Sequence, residues 1–173
     1  MMINSERIKV VKNEIDAQLI YHELKSEGDF VSFARRFVYD TDAKVARNAL
    51  WILTKASDQE LSALQVMLHE LMERAMTTDS SAVRRLSLNI VERLKMEEDD
   101  LRTDFLDFCL ERMANIEELP GCQSVCMKLA FRMCRFYPEL MGEFMRTIEG
   151  MEIDYYKPAV KCIRSRIMSG KFK

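Results

Sequence analysis

Only five glycines and three prolines punctuate the 173 residues, and there are two histidines and a single tryptophan. So little punctuation leaves long periodic segments uninterrupted, and no stretch alternates apolar and polar residues for long enough to demand a strand. No run approaches the roughly 20 apolar residues that a membrane-crossing helix needs, so no membrane association is expected. The opening "MMINSERIKVVKNEID" carries charges every few residues and has no apolar core, which argues against a secretory leader. A chain of this length suits one domain, residues 1–173, burying about 70% of its unfolded surface. At 48% hydrophobic and 31% charged, the composition is too apolar for disorder.

Catalytic patterns are scarce too. There is no glycine-rich phosphate loop, and no serine or cysteine has a plausible base nearby in sequence. "HELME", His69 to Glu73, approaches the zinc-binding H-E-x-x-H pattern but ends in Glu73, where the second ligand belongs. Asp104, Asp107 and Glu111 share a helical face and read as a solvated acidic stripe rather than a catalytic pair. The cysteines, Cys109, Cys122, Cys126, Cys134 and Cys162, are odd in number and set among methionines. Reduced thiols acting as small hydrophobes fit better than a disulfide framework or the i, i+4 zinc pair of Cys122 and Cys126, and they suit a cytoplasmic protein. No catalytic residue, metal or cofactor is expected, and the balance leans away from an enzyme.

What remains is helical. Periodicity predicts helices over 5–25, 29–39, 43–56, 58–76, 80–95, 99–115, 121–136, 138–149 and 155–168. In the first, Ile8, Val11, Ile15, Leu19 and His22 form a buried stripe, which makes His22 a core residue. Pro120, Pro138 and Pro158 stand near helix starts, where a missing N–H matters little. "SDQE", Ser57 to Glu60, has the form of a capping box.

"KVARNALWILTKA", residues 44–56, is echoed by "AVRRLSLNIVERL", residues 82–94: Val45, Arg47, Leu50 and Ile52 meet Val83, Arg85, Leu88 and Ile90. The echo returns in "CMKLAFRMC", 126–134, and more weakly in "YYKPAVKCI", 155–163. A basic residue thus recurs at Arg47, Arg85, Lys128 and Lys157, with a small one two places on. "DTDAKVARNALWIL" resembles the second-helix signature of HEAT and armadillo-type repeats. The resemblance spans 29–168 and is strong in the first two units alone. It implies an all-α, right-handed superhelix of about four helix pairs plus an N-terminal helix, with second helices lining a concave face. Scaffolds and binding modules are the usual occupation of such repeats, and no activity is implied.

A net charge of −2 hides a strong separation. The second-helix segments 43–56, 80–95, 121–136 and 155–173 hold sixteen basic residues and one acidic residue, Glu92. The first-helix segments and linkers 57–79, 96–120 and 137–154 hold nineteen acidic and four basic residues. Helical spacing gathers Lys44, Arg47, Asn48, Trp51 and Lys55 on one side of their helix, Arg85, Asn89 and Arg93 on the next, then Lys128, Arg132 and Arg135, then Lys157, Lys161 and Arg164.

Two readings stay open for this strip. It is a ligand surface with Trp51 as stacking anchor, or a structural ladder in which the basic positions pair with Asp40, Asp42 and Asp79 while Trp51 packs inside. On the first reading the partner is an acidic protein segment or another polyanion. Nucleic acid is the alternative, in the manner of the alkylation-repair DNA glycosylases, which use a helical-repeat face. No tryptophan-lined pocket with an aspartate can be matched to that family residue by residue.

Overall fold

In a computed structural model describing residues 2–172, the chain divides into two compact units, 1–95 and 96–173. Among the described residues there are helices and connecting turns and no strand.

In the N-terminal unit, α1 (Ser5–Lys9) and α2 (Glu14–Glu27) precede the first pair, α3 (Phe30–Phe37) and α4 (Ala43–Leu53). The first helix of the next pair is compound. A single turn, α5 (Asp58–Leu61), runs through a 3₁₀ stretch (Ser62–Met67) into α6 (Leu68–Thr77), and the second helix is α7 (Ser81–Arg93). Side chains at the boundaries explain the starts. Asp29 and Asp42 accept from Ser32 and Lys44 backbone N–H groups at 2.9 Å, and Ser57 and Glu60 form the expected reciprocal capping box. The αL conformation that ends α2 falls on Gly28, with φ 75°.

Helix α4 is the hub of this unit and touches α1, α2, α3 and α7. Seven of its eleven residues are buried: Val45, Ala46, Asn48, Ala49, Leu50, Ile52 and Leu53. That leaves one narrow side, the side of Lys44, Arg47 and Trp51, turned away from the core.

The predicted helix over 5–25 is in fact two helices. Asn13 caps α2 by accepting from Asp16 N–H at 2.9 Å, which restarts the helix in a new phase. Ile8 and Val11 are buried, but α2 buries Ala17, Ile20, Tyr21 and Leu24 and leaves Ile15 and Leu19 71% and 59% exposed. His22 is therefore exposed rather than in the core, its ring 5.1 Å from that of Tyr21. The break is held from a distance. Asn48 of α4, which helical spacing sets on the exposed side with Arg47, is instead fully buried, because its amide donates to the carbonyls of Ile8 (2.9 Å), Val11 (3.2 Å) and Lys9 (3.4 Å). Ile8 O also takes the Val11 N–H, while the other two are acceptors that the end of α1 leaves over.

The C-terminal unit holds α8 (Thr103–Ala114) with α9 (Pro120–Cys134), and α10 (Pro138–Glu149) with α11 (Pro158–Met168). All three prolines open their helices. Helix α9 is the hub here and packs on α8, α10 and α11. Cys109, Cys122, Cys126 and Cys134 are buried free thiols, and Cys162 is exposed. Cys122 and Cys126 stand 3.9 Å apart, and contact with Cys109 together with burial pushes the Cys126 thiol well above its ordinary range. Such thiols pack as apolar groups.

Candidate functional site

Helices α4 and α7 start in the same way, each behind a capping side chain (Asp42 and Ser80), so equivalent residues fall at equivalent depths. Arg47 and Arg85 are both fifth in their helices, and Trp51 and Asn89 both ninth. Ala49 and Ser87 fill the small position with no exposure at all, which lets neighbouring helices approach closely.

Outside this contact the two helices border a cavity of about 390 Å³ lined by Arg47, Trp51, Thr54, Lys55, Arg85, Leu86 and Asn89. Five of those seven were singled out from sequence. Thr54 and Leu86 were not. Leu86 follows Arg85 directly and is almost wholly buried, so periodicity assigns it to the core alone. Trp51 and Asn89 are thus a matched pair, contributed to one cleft by the same position of two repeats. Both are half-buried.

The cations of this unit are not equally available. Lys55 Nζ lies 2.7 Å from Glu14 Oε2 at the start of α2 and 5.6 Å from the Trp51 ring centroid. The hydrogen bond from Lys55 holds the Glu14 carboxyl below its ordinary range. Arg47 donates through Nε and Nη2 to Asn48 Oδ1 at 3.2 and 3.1 Å, so the residue that anchors α1 also aims this guanidinium. Arg93 is a staple. It donates to Asp58 Oδ1 at 2.9 Å and to the carbonyls of Thr54 and Ala56 at 3.0 and 2.6 Å.

Arg85, Asn89 and exposed Lys44 have no side-chain partner among the described residues. The aspartates that a ladder would use are occupied elsewhere or unattached to these arginines. Asp42 binds Lys9 at 2.8 Å, and Asp40 receives Asp42 N–H at 2.8 Å.

In the C-terminal unit, Lys128 and Arg132 lie half-buried on α9, and Arg135 caps that helix with its guanidinium 5.5 Å from the Phe131 ring centroid. Lys157 is the cap residue before α11, well over a turn earlier than the fifth helical position that Arg47 and Arg85 hold, and Ala159 at the small position is exposed. Lys161 is half-buried on α11, and Arg164 Nε reaches Ile148 O at 3.4 Å. The fourth unit therefore keeps the charge of the repeat without its register.

His69 is exposed on α6, and no group of three or more His, Cys, Asp or Glu among the described residues is arranged to hold a metal ion. Among the same residues, no helix is long and apolar enough to cross a membrane. No curated protein and no solved structure matches the chain. Residues 5–171, almost the whole length, match the HEAT repeat domain. With helix pairs in each unit and the Val–x–Arg–x–small pattern set in α4 and α7, the chain belongs to the HEAT repeat family of helical scaffolds and interaction modules.

Proposed function

We propose that this protein is a non-enzymatic binding module whose second-helix faces hold an acidic protein segment. The observation that carries this reading is the lining of the α4–α7 cleft: Arg47, Lys55 and Arg85 border it, and no carboxylate does. Arg85 reaches it without an internal counter-charge. A cationic surface without compensation is self-repulsive, so it is best explained by a partner that neutralises it. Lys128, Arg132, Lys157 and Lys161 extend the same charge preference to the C-terminal unit. The family match runs unbroken across both units, which supports counting 1–173 as one domain. Free thiols suit a cytoplasmic setting.

Nucleic acid is the second reading, because phosphates would also suit these cations. A salt series separates the two. The chain's sole tryptophan lies in the cleft, so its emission reports occupancy directly while poly-glutamate, single-stranded or duplex oligonucleotide is titrated. The proposal expects saturable binding of poly-glutamate and none of either oligonucleotide at low salt. Oligonucleotide binding with a log–log salt slope of about −0.7 to −0.9 per phosphate neutralised, and no response to poly-glutamate, would replace the acidic segment with nucleic acid.

A further inference from the structure

We infer that the segment held at this cleft carries an apolar anchor side chain, aromatic or large aliphatic, seated against Trp51, with a carboxylate beside it on Arg85. The inference rests on the reading that the face takes an acidic segment, and it specifies what that segment must look like. Three observations support it.

First, the position that α7 gives to Asn89 is given on α4 to the largest side chain in the chain, and both line the same cavity. An electrostatic strip alone needs no indole. A half-buried tryptophan bordering a concavity is the usual form of a binding hot spot, with arginine its commonest companion. Leu86 and the methyl-bearing Thr54 complete the apolar part of the lining.

Second, the cations are spent unevenly. Lys55 is neutralised by Glu14 and Arg93 by Asp58, and Arg47 has two of its donor groups on Asn48. Arg85 is the unspent guanidinium at the cleft, so the ligand's carboxylate belongs on the α7 side of Trp51 and not on the Lys55 side. Asn89, one turn beyond Arg85, offers both a donor and an acceptor to the polar backbone that must flank a buried anchor.

Third, size and charge spacing favour a peptide. About 390 Å³ lies at the small end of the roughly 300–1,000 Å³ range of ligand sites. That leaves room for one large side chain together with its flanking backbone. A nucleic-acid strand carries a charge at every nucleotide and needs cations in series, whereas this cleft has two without a carboxylate partner, Arg85 and Arg47, and Arg47 already spends two donors on Asn48.

The test uses the full chain and labelled peptides of one glutamate-rich frame whose central residue is Phe, Leu, Ala or Ser, read by fluorescence anisotropy. The Phe and Leu peptides should bind at least tenfold tighter than the Ala and Ser peptides, which is about 1.4 kcal/mol. W51A should erase that preference, so that the four peptides bind alike. W51F, which keeps an aromatic ring and guards against misfolding in W51A, should retain part of it. R85Q should weaken all four peptides.

Equal binding of the four peptides, with R85Q still weakening them, would overturn the anchor and leave acidic-segment capture standing. Binding of none would overturn both. A single-stranded oligonucleotide that outcompetes the Phe peptide would overturn the peptide as occupant.

Discussion

Replacing Asn48 tests the link between repeat, N-terminal helix and cleft. Its amide is fully buried and donates to three main-chain carbonyls at 2.9, 3.2 and 3.4 Å, 37 to 40 residues away in sequence. N48A removes the donor; the Ile8 carbonyl keeps the Val11 N–H at 3.2 Å, while the Val11 and Lys9 carbonyls are stranded, at about 1–3 kcal/mol for each buried group left unsatisfied. The Val11 contact is buried and the Lys9 contact only partly so, so a total loss of about 2 kcal/mol is expected, a large share of the roughly 5–15 kcal/mol that stabilises a typical domain.

N48D sharpens the argument because it changes almost no volume. An ionised carboxylate would keep the Arg47 guanidinium on one oxygen but turn the other on carbonyl oxygens with no proton to offer, and that repulsion together with full burial outweighs Arg47 and keeps the acid neutral. Its folded pKa is then raised above the unfolded value of about 3.9. Between those two pKa values the folded state binds more protons, so stability falls as pH rises through that window and recovers on acidification. Urea unfolding followed by Trp51 emission reports the N-terminal unit, and hydrogen exchange over residues 5–13 reports release of α1. Losses below about 0.5 kcal/mol for both variants, or an N48D stability indifferent to pH, would refute this account of the α1–α4 junction.

Other outcomes follow from single contacts. R93A should lower the urea midpoint of the same transition by the equivalent of about 1–2 kcal/mol, since it strands the carbonyls of Thr54 and Ala56; R93K, without a planar fork, should not restore it. The Tyr21 hydroxyl donates to Glu60 Oε1 at 2.6 Å and is the main reason that carboxyl titrates below its ordinary range. Stability from Glu60 is therefore present above its unfolded pKa and lost as pH falls through the depressed folded pKa. Y21F should move the Glu60 titration upward by NMR and shift that loss to higher pH. Thiol alkylation of the native protein should modify Cys162 alone, with the four buried cysteines reacting after unfolding, as read by mass spectrometry.

Much of this architecture was legible because local signals agreed with tertiary need. Pro120, Pro138 and Pro158, the Ser57–Glu60 capping box and the apolar spacing of α4 and α7 each point to a boundary or face that the fold then uses. The failures have a different physics. Within residues 5–25 the local mark of the break is Asn13, a capping residue ahead of Glu14 and Asp16 that sits inside an apolar-periodic run and so is overridden by the period; the group that holds the break together, Asn48, is on another helix. The 3₁₀ stretch from Ser62 to Met67 carries neither glycine nor proline, so its departure from α geometry left no local mark.

The cleft was half legible. Periodicity places Arg47, Trp51 and Lys55 on one face, and the repeat places Arg85 and Asn89 beside them. Which cations are already neutralised depends on Glu14 and Asp58, brought in by elements whose approach no spacing rule supplies.

A charge swap at Arg85 tests the central claim most directly. Titrating the wild type and R85E with poly-glutamate and poly-lysine, both monitored by Trp51 emission, compares the two signs at one site. The account predicts that R85E loses poly-glutamate and gains poly-lysine while its far-ultraviolet dichroism stays that of the wild type. Undiminished poly-glutamate binding by a folded R85E would contradict it.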